Sequence, residues 1–308
     1  MGQEREPGHR FEGHVPAVPT PFNEAGDLMI DSYAEGLRWY LDEVRTDGIC
    51  VAGDNGEAWA LTPEDRRRLA ETTVKVVGGR VPTLMGASAP TSRQSIEFAE
   101  IAAEAGIDAL MTGPQPYVLR ATKKELVRRF ETIHKAVPLP FVVYNSPTRT
   151  GLNLGVEELG AICDAVSVVG LKEASSDMFH ISNVIRVFGE RFCVFVGSGE
   201  CLLPGLALGG RGFISTGPEL FGETASRFRS LATGKPSEES LRLHLSLARV
   251  FRFLMDVGTR PSAFKAALNL IGFPAGVPRE PVQPLTPEDT EKLQALLQEV
   301  GILAPIPA

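Results

Sequence analysis

Lys172 directly follows the apolar run Val166-Ser167-Val168-Val169-Gly170-Leu171, at the point where a buried strand is expected to end. An amine held among apolar neighbours loses the solvation of its charged form. Its pKa falls, and a neutral, nucleophilic fraction becomes available near neutral pH. The chemistry this allows is Schiff-base formation with a carbonyl substrate. A strand-end lysine more often simply emerges into solvent, and Glu173 next door could be a plain ion-pair partner, so the segment alone leaves both readings open. Tyr144 closes another apolar run and could relay protons, or it could only satisfy a hydroxyl in the core. In Gly53-Asp54-Asn55-Gly56-Glu57 the glycines would let successive amides converge on a carboxylate, although the same pattern also serves as an ordinary strand-to-helix turn.

These residues need a scaffold that brings strand ends together. Short β-branched runs alternate with longer amphipathic stretches, and the expected strands are 14–20, 48–52, 81–87, 107–112, 140–145, 166–172, 192–197 and 211–216. Helical patterns lie between them, such as Ser92 to Ala105 and Lys123 to Val137, and Thr62-Pro63-Glu64-Asp65 has the form of a helix start. Eight nearly continuous apolar strands, each followed by a helix, favour a closed parallel (β/α)8 TIM barrel, because both faces of every strand must be covered. The dinucleotide fingerprint G-x-G-x-x-G is absent after the first strand. Helical patterns near 238–255, 261–270 and 287–300 have no strands of their own, so they read as a C-terminal helical extension. The expectation is one domain over 1–308, with the barrel at about 11–232 and the extension at about 233–303. In such a barrel the chemistry gathers where the strands run into their following loops.

Composition narrows the function. A net charge of −7 with no long basic block argues against nucleic acid, and Arg66-Arg67-Arg68 falls on a helical pattern as a solvated face. The cysteines Cys50, Cys163, Cys193 and Cys201 lack C-x-x-C spacing and suit buried thiols in a reducing, cytoplasmic setting. The first 13 residues lack the apolar stretch of a signal peptide, and no run approaches a membrane span. His9, His14, His134, His180 and His244 are scattered without ligand spacing, so no metal is expected.

The segments GDNGE (53–57), YNSPTRTG (144–151) and GLKEAS (170–175), at the ends of the second, fifth and sixth strands, resemble the dihydrodipicolinate synthase and N-acetylneuraminate lyase family. AVPTPF (17–22), GSGE (197–200) and LGGRGFIS (208–215) extend the resemblance over about residues 11–303. It implies a metal-independent class I aldolase or related lyase, commonly a homotetramer, with a dimer as the other expected assembly. By this resemblance Lys172 is the Schiff-base lysine, Tyr144 the catalytic tyrosine, and Gly53, Asp54, Asn55 and Gly56 belong to the loop that binds the carboxylate of pyruvate or another 2-oxo acid. Arg149 matches an arginine that grips the second substrate's carboxylate. Glu200 matches a glutamate directed at substrate hydroxyls, with Ser198 beside it, and Ser215 completes the expected substrate-binding set.

Departures matter as much. The synthases carry two threonines where this chain has Asp54 and Asn55, and Val118 aligns with a relay tyrosine. Acidic Asp54 and Glu200 suggest hydroxyl or amine groups on the substrate. The expectation is therefore a Schiff-base lyase acting on a polar 2-oxo acid by aldol cleavage, condensation or dehydration, with a small aldehyde as partner, the imine on Lys172 in place of any cofactor, and neither nucleic acid nor membrane involved. The alternatives are 4-hydroxy-tetrahydrodipicolinate synthase proper, which condenses pyruvate with aspartate semialdehyde, and a catalytically silent barrel that binds a 2-oxo acid.

Overall fold

The structure, a computed structural model, describes residues 11–232 and 237–304. The readings attached to the first ten residues and to His9 lie outside this range, as does the start of the expected extension at 233.

Eight strands run β1 (Gly13–His14), β2 (Ile49–Val51), β3 (Thr83–Gly86), β4 (Ala109–Thr112), β5 (Phe141–Asn145), β6 (Val168–Glu173), β7 (Cys193–Val196) and β8 (Gly212–Phe213). All pair in parallel, in the order β1-β8-β7-β6-β5-β4-β3-β2. The chain beyond β1 closes the circle, with Cys50 N–H donating to the Pro16 carbonyl at 2.9 Å and Val18 N–H to the Cys50 carbonyl at 3.0 Å. The (β/α)8 barrel expected from the strand-helix alternation is the observed fold.

β1 is far shorter than the expected 14–20, because Pro16, Pro19 and Pro21 have no N–H to give to a ladder. β8 likewise stops at Phe213; Ile214 N–H still donates to the Val196 carbonyl of β7 at 3.1 Å, and residues 214–216 line the barrel mouth.

The helices are α1 (Ile30–Trp39), α2 (Pro63–Val77), α3 (Ser92–Ala105), α4 (Lys123–Ala136), α5 (Pro147–Thr150), α6 (Val156–Ala165), α7 (Met178–Phe188), α8 (Leu202–Ala207), α9 (Glu223–Ala232), α10 (Glu238–Asp256), α11 (Ser262–Leu270) and α12 (Pro287–Glu299). Local chemistry sets their starts. Thr62 and Thr122 each form a reciprocal capping box with the acid three residues on, satisfying two otherwise orphaned amides, and Pro63 pre-sets φ in the first turn of α2.

Two apolar layers follow from strand alternation. Outward residues such as Leu110, Phe141, Val143, Val194 and Val196 pack against the helices. Inward residues, including Val15, Cys50, Leu84, Met111, Val142, Phe195 and Ile214, fill the barrel interior. That inner cluster is the floor on which the site rests.

Candidate active site

On β6, Lys172 and Glu173 point to opposite faces, and each finds a different environment. Glu173 turns outward, accepting from Asn145 Nδ2 at 2.8 Å and from Ser175 N–H at 2.7 Å and pairing with His180 Nε2 at 3.2 Å. It is therefore no partner for Lys172. Lys172 turns into the barrel mouth and is only 6% exposed. Burial pushes its pKa down, Arg260 and Arg149 add to that, and Asp54 and Cys50 oppose it. The result is an amine poised toward its neutral form.

Cross-strand register puts Tyr144 on β5 directly beside Lys172. The lysine Nζ lies 4.3 Å from the centre of the tyrosine ring. Tyr144 donates its hydroxyl proton to Asp54 Oδ2 at 3.0 Å, and Arg149 Nε donates to the same oxygen at 3.2 Å. Burial raises the phenol's pKa and the Asp54 charge raises it further, so Tyr144 stays protonated and can donate. Burial alone would push the Asp54 carboxyl up, but Lys172, Arg149, Arg260 and the Tyr144 hydroxyl together hold it below the usual carboxylate range. Asp54 is thus an anion engaged by two protein donors, Tyr144 and Arg149.

The 53–57 loop owes its shape to its surroundings. Ala52 and Glu57 bracket it with φ of 52° and 55°, a left-handed conformation that non-glycine residues seldom adopt. Gly86 on the neighbouring strand makes this possible, since a side chain there would strike the Ala52 carbonyl. Glu57 is fully buried, pairs with Lys265 Nζ of α11 at 2.5 Å and accepts from Arg279 N–H at 2.8 Å. Arg279 also reaches Asp65 at 2.7 Å and the Ala60 carbonyl at 2.7 Å. The C-terminal helices and the segment between them therefore lock the site loop from behind, and a buried pair of this kind is costly to break one-sidedly.

A cavity of about 370 Å³ brings together Lys172, Tyr144, Asp54, Asn55, Arg149, Ser198, Glu200 and Ser215, eight of the ten residues singled out from sequence. Gly53 and Gly56 are not on its wall. Gly53 faces a neighbouring cavity, and Gly56 is wedged against the Val18 carbonyl and Thr20, whose hydroxyl donates to the Gly56 carbonyl at 2.7 Å. Ser198 Oγ accepts from the Ser176 hydroxyl at 2.9 Å, while Glu200 stands at the rim, 41% exposed and 3.6 Å from Arg252 of α10. Arg252 gives Glu200 a protein partner that the expectation of hydroxyl recognition did not include.

Several lining residues were not singled out from sequence: Thr216, Ser146, Ser176, and from the C-terminal helical region Phe251, Arg252, Met255 and Arg260. Arg260 Nη2 donates to Asn55 Oδ1 at 3.0 Å and to Thr216 Oγ1 at 2.8 Å. The signal was faint, an isolated arginine immediately before Pro261 in a segment that carries no strand. Among the described residues no cluster of three or more histidine, cysteine, aspartate or glutamate side chains is arranged to hold a metal. No helix among them is long and apolar enough to cross a membrane.

Comparison with known proteins agrees with this geometry. The profile of the dihydrodipicolinate synthetase family matches residues 10–300. A 4-hydroxy-tetrahydrodipicolinate synthase of a Thermoanaerobacter species is 32% identical over 296 residues, covering 95% of this chain and 98% of that protein. One from a Synechococcus species is 34% identical over 289 residues, covering 94% and 93%. Among solved structures, dihydrodipicolinate synthase from Thermotoga maritima superposes with a TM-score of 0.88 at 29% identity, covering 96% of this chain and all of that one.

Proposed function

Because the chain belongs to the dihydrodipicolinate synthetase family, we propose that it is a Schiff-base-forming lyase in which Lys172 takes up pyruvate or another polar 2-oxo acid. The observation that carries this reading is the buried Lys172 amine beside the Tyr144 ring, with the phenol proton directed at Asp54. The neutral amine attacks the C2 carbonyl, and the tetrahedral adduct loses water as a proton reaches its hydroxyl from Tyr144. The resulting protonated imine is an electron sink. Loss of a proton from C3 gives an enamine, which attacks an aldehyde carbon, and hydrolysis then frees the amine for another cycle. Run backwards, the same steps cleave an aldol; loss of a C4 hydroxyl as water gives dehydration instead.

A second reading is 4-hydroxy-tetrahydrodipicolinate synthase itself, condensing pyruvate with aspartate semialdehyde. The relatives' names favour it, as does Arg149 at the cavity mouth, where a guanidinium fork suits a second carboxylate. Asp54 in place of a threonine and a half-exposed Val118 in place of a relay tyrosine weigh against it. The same proposal takes the chain as one domain, since Lys265, Arg279 and Arg260 tie the C-terminal helical region to the barrel loops. It takes the protein as a cytoplasmic homo-oligomer, in keeping with four free buried cysteines and with the exposed Trp59, Tyr117, Val118 and Leu119.

Pyruvate with borohydride tests the reading, because hydride traps an imine as a stable secondary amine. Peptide mapping is expected to find the adduct at Lys172. An adduct at Lys265 or another lysine, or none, overturns it. A panel of aldehydes that includes aspartate semialdehyde, together with 2-keto-3-deoxy sugar acids, then separates the two readings by product mass.

A further inference from the structure

Arg260 is a cation that, among the described residues, forms no ion pair with a carboxylate. Its Nη2 is held by two neutral oxygens, Asn55 Oδ1 and Thr216 Oγ1, and its Nε is buried with no hydrogen-bond partner. Asp54, the acidic group within electrostatic reach, is already bonded to Arg149 and Tyr144. Beside it the Ser215 hydroxyl is also buried without a partner, although the residue is only 3% exposed and lines the same cavity. Unsatisfied buried polar groups each carry a desolvation cost, and two of them on one cavity wall call for an explanation.

Position tells which group would satisfy them. Asn55 follows β2, and Ser215 and Thr216 follow β8, so Arg260 and its partners occupy the arc of the mouth around β8, β1 and β2. Lys172 and Tyr144 come from β6 and β5, and the Arg149 side chain, which follows β5, reaches Asp54 at 3.2 Å. A 2-oxo acid joined through C2 to Lys172 has its carboxylate one bond away and its C3 on the other side of C2. With C3 turned toward Tyr144 on β5, the carboxylate points to the Arg260 arc.

We propose that Arg260, held against Asn55 of the 53–56 loop, is a specificity-determining residue that joins that loop in binding the carboxylate of the 2-oxo acid, with the Ser215 hydroxyl as a further donor. The assignment rests on the lyase reading above. Burial and the like charge of Arg149 weaken the hold of Arg260 on its own proton, which is the condition an incoming carboxylate relieves. The site then separates two acidic functions, with the substrate's own carboxylate on Arg260 and a carboxylate of the partner on Arg149.

Pyruvate and its neutral methyl ester, each trapped at Lys172 by borohydride over a range of concentrations, give the test on the full chain. For Arg260→Gln the half-saturating concentration of pyruvate is expected to rise roughly ten- to a hundredfold, as for a lost charge-assisted bond, while methyl pyruvate changes by less than about threefold. Equal weakening of acid and ester, or no change in either, overturns the assignment, because a merely structural arginine would not distinguish them. If the Gln variant does not fold, Arg260→Lys decides: a fork lost at constant charge still weakens pyruvate more than its ester, and equal effects count against the proposal. Absence of any Lys172 adduct in the unmodified protein would instead remove the lyase reading beneath it.

Discussion

Replacing Asp54 by asparagine tests how the cavity sets the charge of Lys172. The groups facing that amine are Asp54, Cys50, Tyr144, Arg149 and Arg260, and Asp54 is the anion among them, since burial pushes the Cys50 thiol up to about 12 and keeps Tyr144 protonated. Lys172 Nζ is 4.3 Å from the Tyr144 ring centre, and the hydroxyl across that ring is 3.0 Å from Asp54 Oδ2. The ammonium and carboxylate are therefore no more than about 10 Å apart, and at an effective dielectric of about 20 their attraction is at least roughly 1.5 kcal/mol, or about one pH unit. Asparagine keeps the shape and an oxygen for Tyr144, so the charge is what changes.

The sign is fixed by the neighbours. Burial and the two arginines already favour the neutral amine, and Asp54 is the main opposing charge. Removing it lowers the lysine pKa further. Only the neutral amine attacks a carbonyl, so imine formation rises as pH climbs through that pKa. In Asp54→Asn this rise should begin about one pH unit lower or more. The initial rate of borohydride-trapped pyruvate adduct, followed across the near-neutral range, reads the shift directly. A limb that stays within a few tenths of a unit, or moves to higher pH, refutes the account of the Lys172 environment.

Two further outcomes are expected. Tyr144→Phe removes the proton donated to Asp54 while keeping the ring against Lys172, so turnover should fall by roughly 10²- to 10⁴-fold with the melting temperature little changed; near-normal turnover would take Tyr144 out of the mechanism. Away from the site, Glu219 is fully buried, which pushes its carboxyl from 4.5 up to about 8. A raised carboxyl pKa gives stability that is fully present below 4.5 and lost as pH rises through about 8, so thermal stability should decline over that interval and Glu219→Gln should flatten the decline; an unchanged profile in the variant rules this out.

Much of this was legible in the chain because both periodicities are clean. The strand runs are bounded by glycine, proline or charge, and α2 and α3 begin and end where their caps say. Lys172 and Tyr144 were joined by the family resemblance, and the register of consecutive barrel strands places them side by side. Side-chain partnerships were the part that sequence could not supply. Asp54 meets Arg149 across 95 residues and Arg260 meets Asn55 across 205, and no local pattern encodes contacts of that span. Arg260 was missed for a further reason: it comes from the helical region after β8, where the expectation of strand-end chemistry does not look.

Those long-range contacts give the site a property that its lysine alone would lack. Burial, helped by Arg260 and Arg149, keeps the Lys172 amine toward its neutral, nucleophilic form, which is what attack on a carbonyl requires. Once the imine forms, the need reverses, since only a protonated imine draws electrons from C3. A substrate carboxylate on Arg260 adds a negative charge to the mouth at that stage and favours the iminium through the same electrostatics that had favoured the neutral amine. The substrate thus carries the counter-charge that switches the lysine from nucleophile to electron sink, and a neutral ester, which lacks that charge, should form its imine and yet exchange its C3 protons slowly.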